Sequence, residues 1–237
     1  MLTPTPRRVC YGHSSPLAAP QGPQRGYFFA VPEVTEPRPP RAVAFVDGQN
    51  LYHGARRAFG HRDQHLDIVC LAHAVCEPRG WRLLQTRYYT GLPSHRISPE
   101  WHRFWSAELR RWQAQGVQVY SRPLRYRRRT VLDESGRPRV AVVGEEKGID
   151  VRISLDVIQM AIDCEFDVAL LLSQDQDFVE LARDVRSVAQ RQGRWIKMAS
   201  AYPAPSGATA ERGVDKTDWI TIDRATYDAC LVRFGER

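Results

Sequence analysis

Short apolar runs alternate with amphipathic segments from residue 41 of this chain onward. Residues 42–46 are five consecutive apolar side chains, which is typical of a strand buried on both faces of a sheet. Further strands are predicted at 81–89, 117–120, 168–173, 195–199 and 219–222. Helical periodicity predicts helices at 50–59, 67–76, 99–115 and 148–163, another that ends near residue 192, and one at 224–234. This alternation indicates an α/β fold with a mostly parallel sheet and helices on both faces.

One segment carries two patterns. Residues 149–157 alternate between apolar and polar side chains, as a strand does. Apolar residues also recur at helical spacing, at Val151, Leu155, Ile158 and Ile162. Because the helical pattern extends further, we predict a helix there.

The two ends of the pattern differ in composition. Residues 1–40 hold nine of the sixteen prolines, so we predict a disordered tail followed by one folded domain over 41–237. Gly-Leu-Pro at 91–93 predicts a turn. A basic hairpin insertion is predicted near 122–143, around a turn at 133–136.

Composition restricts the class of protein. The 237 residues suffice for one sizeable domain and a tail. We expect no membrane association, because no apolar run approaches the roughly 18 to 20 residues needed to span a bilayer, and we expect no signal peptide. Five cysteines, an odd number without CxxC spacing, favour reduced thiols in a cytoplasmic setting and argue against a zinc site.

The net charge of +7 is unevenly distributed. Residues 145–184 contain eleven acidic side chains and three basic ones, so the rest of the chain is strongly basic. This favours a phosphate-rich partner around a cation-binding centre. The alternative is that the basic composition only maintains solubility.

Carboxylates follow the predicted strands where the strands end. Asp47 leaves the first strand, Asp175 and Asp177 follow strand 168–173, and Asp150 lies in the first turn of helix 148–163. In parallel α/β sheets these positions share one edge, where ligands bind. Clustered carboxylates repel one another unless a cation intervenes, and all-oxygen ligands favour Mg²⁺ or Mn²⁺. Asp156 lies about 9 Å further along the helix, so we expect it not to share the ion.

Three segments resemble the ordered motifs of NYN domains, a LabA-like branch of the PIN-like nucleases: Asp47-Gly-Gln-Asn50, Lys147-Gly-Ile-Asp150 and Ser173-Gln-Asp175-Gln-Asp177-Phe178. The resemblance covers about residues 41–200. It implies a Rossmann-like, three-layer PIN fold and cleavage of RNA with Mg²⁺ or Mn²⁺. By the same resemblance Asp47, Asp150, Asp175 and Asp177 are metal ligands, and Asn50 orients ligands or phosphate. Gln174 departs from the family pattern, which usually has glycine there.

Several of these residues have a simpler interpretation. Asp177 and Asn50 are each placed to cap a helix, a role that competes with a role in catalysis. Lys147 is placed either to contact phosphate or to remain solvated. Ser173 is a supporting residue that can hydrogen-bond a ligand carboxylate.

A basic strip precedes the acidic segment and consists of Arg122, Arg125, Tyr126, Arg127, Arg128 and Arg129. Guanidinium groups suit phosphate contacts, and a tyrosine can stack on an unpaired base. The alternative is a solvated edge hairpin whose charges prevent aggregation. Trp101, Trp105 and Trp112 lie near helical spacing, which favours packing over base stacking.

These observations together predict a metal-dependent ribonuclease that acts on single-stranded RNA. A first alternative is an NYN-like RNA-binding or regulatory module without turnover, to which Gln174 points. A second is a small-molecule phosphohydrolase, although the first strand lacks the Asp-x-Asp pair of haloacid-dehalogenase phosphatases. The sequence leaves a homo-oligomer open.

Overall fold

The structure is a computed structural model that describes residues 34–61, 65–132, 136–205, 207 and 212–232. Its strands are β1 (Arg41–Asp47), β2 (Arg82–Leu92), β3 (Gln118–Pro123), β4 (Arg125–Leu132), β5 (Pro138–Glu145), β6 (Val168–Leu172), β7 (Lys197–Pro203) and β8 (Asp218–Ile222). Its helices are α1 (Gly48–Phe59), α2 (Ile68–Cys76), α3 (Pro99–Ala114), α4 (Ile149–Ile162), α5 (Val179–Gln192) and α6 (Arg224–Ala229).

Six of the strands form one sheet in the order β3-β2-β1-β6-β7-β8, and each neighbouring pair is parallel. Alternate residues of β1 explain the layers. Ala42, Ala44 and Val46 face a core shared with α1, α2 and α3. Val43 and Phe45 face a second core shared with α4 and α5. The predicted α/β fold with a parallel central sheet between helical layers is therefore confirmed.

The basic hairpin is a separate two-stranded sheet. Strands β4 and β5 are antiparallel, and Arg125 lies opposite Glu145. Arg122 belongs to the end of β3, so the hairpin itself begins three residues later than the predicted insertion. Residues 133–135 of the predicted turn lie outside the described part of the chain.

One local prediction is wrong, and the helix predicted for the segment with two patterns is confirmed. The expected turn at 91–93 is instead the end of β2, because Gly91 and Leu92 pair with β3. Residues 149–162 do form a helix, but the stripe that favoured it does not face the core. Val151 and Leu155 are 62% and 59% exposed, while Ile149, Ile153 and Val157 pack inward.

The cysteines also differ from the expectation of reduced thiols. Cys70 in α2 and Cys230 after α6 form a disulfide, with 5.5 Å between their Cα atoms. Cys76 and Cys164 retain thiols, and Cys10 lies outside the described residues. The fold brings together two cysteines that are 160 positions apart, a proximity that local spacing does not reveal.

The predicted disordered tail, 1–40, falls mostly outside the described residues, and 34–40 contain no helix or strand. The folded elements begin at Arg41, as predicted. Within the described ranges, every helix is too short or too polar to cross a bilayer.

Candidate metal centre and nucleic-acid interface

Three carboxylates meet at the carboxyl edge of the sheet. Strands β1 and β6 are parallel neighbours, so the residues after both strands emerge side by side, and helix α4 begins at the same edge. Asp150, Asp175 and Asp177 each place one carboxylate oxygen within 4.8 Å of the others. This acidic group joins the second and third of the sequence motifs, as the strand topology predicts.

The glycine of the second motif has a structural reason. Gly148 immediately precedes α4 with φ of 76°, a left-handed conformation that disfavours other residues. A Cβ atom there would also lie 2.8 Å from the guanidinium of Arg122. The motif therefore allows a turn that delivers Asp150 to the edge and brings an arginine beside it.

Asp175, not Asp177, acts as the cap. The side chain of Asp175 accepts a hydrogen bond from the backbone N–H of Asp177 at 3.0 Å, at the start of a 3₁₀ turn over Gln176–Phe178. Helix α5 begins after Phe178 without a side-chain cap. The interpretation of Asp177 as a helix cap is therefore wrong, and its exposed carboxylate belongs to the acidic group.

Asp47 lies behind this group and is only 4% exposed. It caps α1 by accepting the backbone N–H of Asn50 at 3.1 Å, and it accepts the hydroxyl of Ser173 at 3.0 Å. Burial, with smaller contributions from the charges of Asp150 and Asp175, raises its pKa to about 6. Asp47 is thus a near neighbour of the acidic group but is not one of its three members.

Ser173 connects these carboxylates. Its hydroxyl oxygen also accepts the backbone N–H of Asp175 at 3.1 Å, so one buried side chain contacts Asp47 and orients the loop after β6. The supporting role of Ser173 at a metal centre stays a prediction.

Asn50 holds the same loop from the other side. Its side-chain oxygen accepts the backbone N–H of Gln174 at 3.0 Å, so Asn50 is not the residue that caps α1. The Gln174 side chain donates to the carbonyl of Arg212 at 3.1 Å and accepts a hydrogen bond from Arg57. Gln174 is therefore anchored to α1 and to the segment after β7.

Charge repulsion is built into the acidic group. Burial and the charges of Asp175 and Asp177 raise the pKa of Asp150. Asp156, which we expected to stand apart, accepts hydrogen bonds from Arg87 at 3.0 Å and Tyr89 at 2.8 Å and forms an ion pair with Arg152. The repelling carboxylates at the edge have no such cationic partners among the described ion pairs.

Sequence reasoning missed Glu146. Its carboxylate accepts hydrogen bonds from the backbone N–H of Gly91 and from the hydroxyl of Thr90, which ties the segment before α4 to the end of β2. Burial comes first among the causes that raise its pKa to about 7, and the charges of Asp47 and Asp150 add to it. The sequence feature that points to it is the pair of acidic residues, Glu145 and Glu146, directly before Lys147, where the second motif begins.

The arginines of the basic strip have different surroundings. Arg127 and Arg129 form ion pairs with Glu145 on the facing strand. Arg125 and Arg128 are exposed and form no ion pair within the described part of the chain. The hydroxyl of Tyr126 accepts the backbone N–H of Ser94 at 2.9 Å, which anchors the hairpin to the loop after β2. Lys147 is exposed.

The tryptophans of α3 divide into two kinds. Trp112 is 2% exposed and packs in the core, as predicted. Trp101 is 52% exposed, and Trp105 is half-buried. Trp105 packs against the same core as Trp112, so packing accounts for both of these tryptophans, whereas Trp101 is largely exposed.

Comparison with known proteins gives a family match and distant structural similarities. The family model described as NYN domain matches residues 41–211. No curated protein matches the sequence significantly. A solved protein of unknown function from Vibrio parahaemolyticus is 20% identical, with a TM-score of 0.46 over 84% of this chain and 100% of that chain. MurG from Acinetobacter baumannii is 13% identical, with a TM-score of 0.30 over 77% of this chain and 45% of that chain.

Proposed function

This chain belongs to the NYN domain family, and from that premise we propose that it is a metal-dependent ribonuclease that hydrolyses phosphodiester bonds. The observation that carries the proposal is the acidic group, in which oxygens of Asp150, Asp175 and Asp177 lie within 4.8 Å of one another. Such a group is costly without a cation, because like charges oppose one another's ionisation.

The donor set fits Mg²⁺ or Mn²⁺. All three donors are carboxylate oxygens, which hard divalent cations prefer. The three oxygens lie within 4.8 Å of one another, close enough for these residues to hold one divalent cation between them. A cation held by these residues would supply Lewis-acid activation of a phosphoryl oxygen and of the attacking water.

The other residues of the site keep the carboxylates in place. Ser173 and Asn50 fix the loop that carries Asp175 and Asp177, one from each side. Asp47 is the fourth carboxylate predicted as a ligand. Its two oxygens already accept hydrogen bonds, yet each retains a lone pair for a cation.

RNA binding is supported by the position and charge of the basic strip. Arg122 lies beside Gly148 at the start of α4, and Arg125 and Arg128 are exposed on the adjoining hairpin. These cations offset the local repulsion between the acidic group and a phosphate backbone, and they attract the polymer by releasing its counterions. Lys147 precedes the same turn and is placed to add a phosphate contact.

A nuclease assay tests the proposal. Labelled single-stranded RNA and DNA of matched sequence are incubated with the protein in Mg²⁺, in Mn²⁺ or in chelator. We expect metal-dependent cleavage of RNA that is lost in Asp150→Asn. Asp184→Asn, the same change at an exposed position of α5 outside the acidic group, should cleave as wild type does. RNA binding without cleavage would instead favour the RNA-binding module.

A further inference from the structure

A cavity of about 230 Å³ lies beside the carboxylates and has an aromatic wall. Tyr52 of α1 contributes to this wall from one side, and Trp101 and Trp105 of α3 contribute from the other. Gln49 and His53 place an amide and an imidazole on the lining. Among the residues that the structure describes, no aspartate, glutamate, lysine or arginine lines it.

The cavity is physically connected to the acidic edge. Gly48, which lines it, directly follows Asp47. Thr90 and Gly91 also line it, and both donate hydrogen bonds to Glu146. On the far side the lining includes Leu124, the residue between β3 and the basic hairpin. The cavity therefore adjoins both the residue that follows Asp47 and the residue that precedes the basic hairpin.

The lining specifies the chemistry of an occupant. A charged group would lose its hydration there without gaining an opposite charge, so the cavity excludes phosphate. Flat aromatic faces favour a flat ring system, and Trp101 exposes half of its surface for stacking. Burial and the nearby Arg57 and Arg56 lower the pKa of His53, so its neutral ring offers one donor and one acceptor near neutral pH.

The volume of the cavity also limits the size of the occupant. Pockets for drug-sized ligands have volumes of roughly 300–1,000 Å³, so this cavity accommodates about one ring system. A nucleobase combines a flat, uncharged ring with hydrogen-bonding edges, which an amide and a neutral imidazole can contact. A paired base presents neither its faces nor its pairing edge to such a cavity.

We propose that this cavity binds one unpaired nucleobase of the RNA strand, next to the phosphate that lies at the acidic group. The assignment of the strand as RNA rests on the proposed function, whereas the aromatic base site does not require cleavage. A base held here selects single-stranded substrate and sets the register of the backbone at the carboxylates.

Binding without cleavage tests the base site. The full chain is titrated in chelator with a fluorescent RNA pentamer and with the abasic ribose-phosphate pentamer of equal charge. Stacking of one base on one aromatic side chain raises affinity by about 5- to 150-fold. Wild type should therefore bind the pentamer with bases at least about 5-fold more tightly than the abasic pentamer. Trp101→Ala should remove most of this preference without changing affinity for the abasic strand, and Trp101→Phe should restore much of it.

Trp219→Ala is the matched control, since Trp219 is 49% exposed on β8 and does not line the cavity. It should keep the preference, and thermal melting should verify that every variant is folded. The proposal is overturned if Trp101→Ala keeps the full preference, or if it lowers the affinity for both pentamers by the same factor. It is also overturned if adenosine 5′-monophosphate binds as tightly as the pentamer, because the cavity would then serve a free nucleotide.

A parallel cleavage assay in Mn²⁺ separates the two proposals. If wild type shows the base preference, Trp101→Ala loses it and neither cleaves RNA, the base site stands and the nuclease proposal fails. If wild type cleaves RNA but Trp101→Ala leaves the preference intact, the nuclease proposal stands and the base site fails.

Discussion

The side-chain oxygen of Asn50 accepts the backbone N–H of Gln174 at 3.0 Å. This bond joins the start of α1 to the loop after β6, although the two residues are 124 positions apart. Asn50 thereby fixes the backbone that carries Asp175 and Asp177, a role distinct from capping a helix. An amide oxygen accepts this hydrogen bond without adding a further charge beside Asp47.

Asn50→Ala should leave the Gln174 N–H without its partner. The unfolding free energy should fall by about 1–3 kcal/mol. Metal affinity should fall by a larger fraction than the unfolding free energy does, because the acidic group loses its alignment. Chemical denaturation and metal titration measure the two effects. Arg57→Ala, which removes only an exposed contact to the Gln174 side chain, should change stability by less than about 0.5 kcal/mol. Equal effects of both changes would contradict this role of Asn50.

Divalent metal should stabilise the fold, because a cation relieves the repulsion among three converging carboxylates. At a hundredfold excess over Kd the gain is about 2.7 kcal/mol of unfolding free energy, measurable as a higher Tm. Chelator should reverse it, and Asp184→Asn should retain it. A Tm that is the same in Mn²⁺ and in chelator would argue against the centre.

Alanine variants should distinguish Asp175 from Asp177. Both should abolish stabilisation by Mn²⁺, since both lie in the acidic group. Only Asp175→Ala should also cost about 1 kcal/mol in chelator, because only Asp175 accepts a capping hydrogen bond. Asp177→Ala should leave the metal-free protein as stable as wild type or slightly more so. The reverse order of stabilities, measured by denaturation, would show that the cap is assigned to the wrong residue.

Glu146→Gln should change how stability depends on pH in the absence of metal. Burial raises the folded-state pKa of Glu146 from 4.5 to about 7, so the folded state binds the proton more tightly than the unfolded state does. Wild type should therefore lose stability as pH rises from about 4.5 to 7, by on the order of 2 kcal/mol from this group. Glutamine retains an acceptor for the N–H of Gly91 without the charge, so the variant should lose less stability over the same pH range. Asp47, with a pKa near 6, adds a change of the same sign to both proteins. Parallel stability curves would exclude this role for Glu146.

The basic strip should determine the salt dependence of RNA binding. Each phosphate contact on a single strand contributes about −0.7 to the slope of log affinity against log salt. Replacing Arg125, Arg127, Arg128 and Arg129 by glutamine should flatten the slope by up to about 3 if all four contact phosphate. Glu145→Gln should steepen it, because it releases Arg127 and Arg129 from their ion pairs. An unchanged slope in the quadruple variant would mean that RNA approaches another face.

The two central strands, β1 and β6, could be predicted because each is a continuous apolar run, and the order of the other elements followed from the alternation of strand-like and helical segments. The ends of the strands could not be predicted, because they depend on pairing between strands. Gly91 and Leu92 resemble a turn alone, yet they continue β2 because β3 supplies partners for them. Similarly, the exposed apolar stripe of α4 satisfies helical spacing as well as the buried one does, so periodicity identified the helix and not its buried face.

Some residues of the candidate site could also be located from the sequence, and others could not. The carboxylates of the acidic group could be located from the rule that parallel strands deliver loops to one edge. Glu146 could not, because its position depends on Gly91, in a strand that local sequence does not connect with it. The cap at Asp175 could not be identified from the sequence, because Asp177 two residues further on has the same capping propensity and only the backbone conformation separates them.

The adjacency of β1 and β6 determines when the centre can form during protein synthesis. Ser173 and Asp47 are in contact although 126 positions separate them, and β2 to β5 lie between them in the chain. A nascent chain on the ribosome therefore exposes Asp47 long before Asp175 and Asp177 have left the exit tunnel. The acidic group can therefore assemble only after β6 and the loop that follows it have emerged, and an N-terminal fragment that ends before β6 has no complete acidic group.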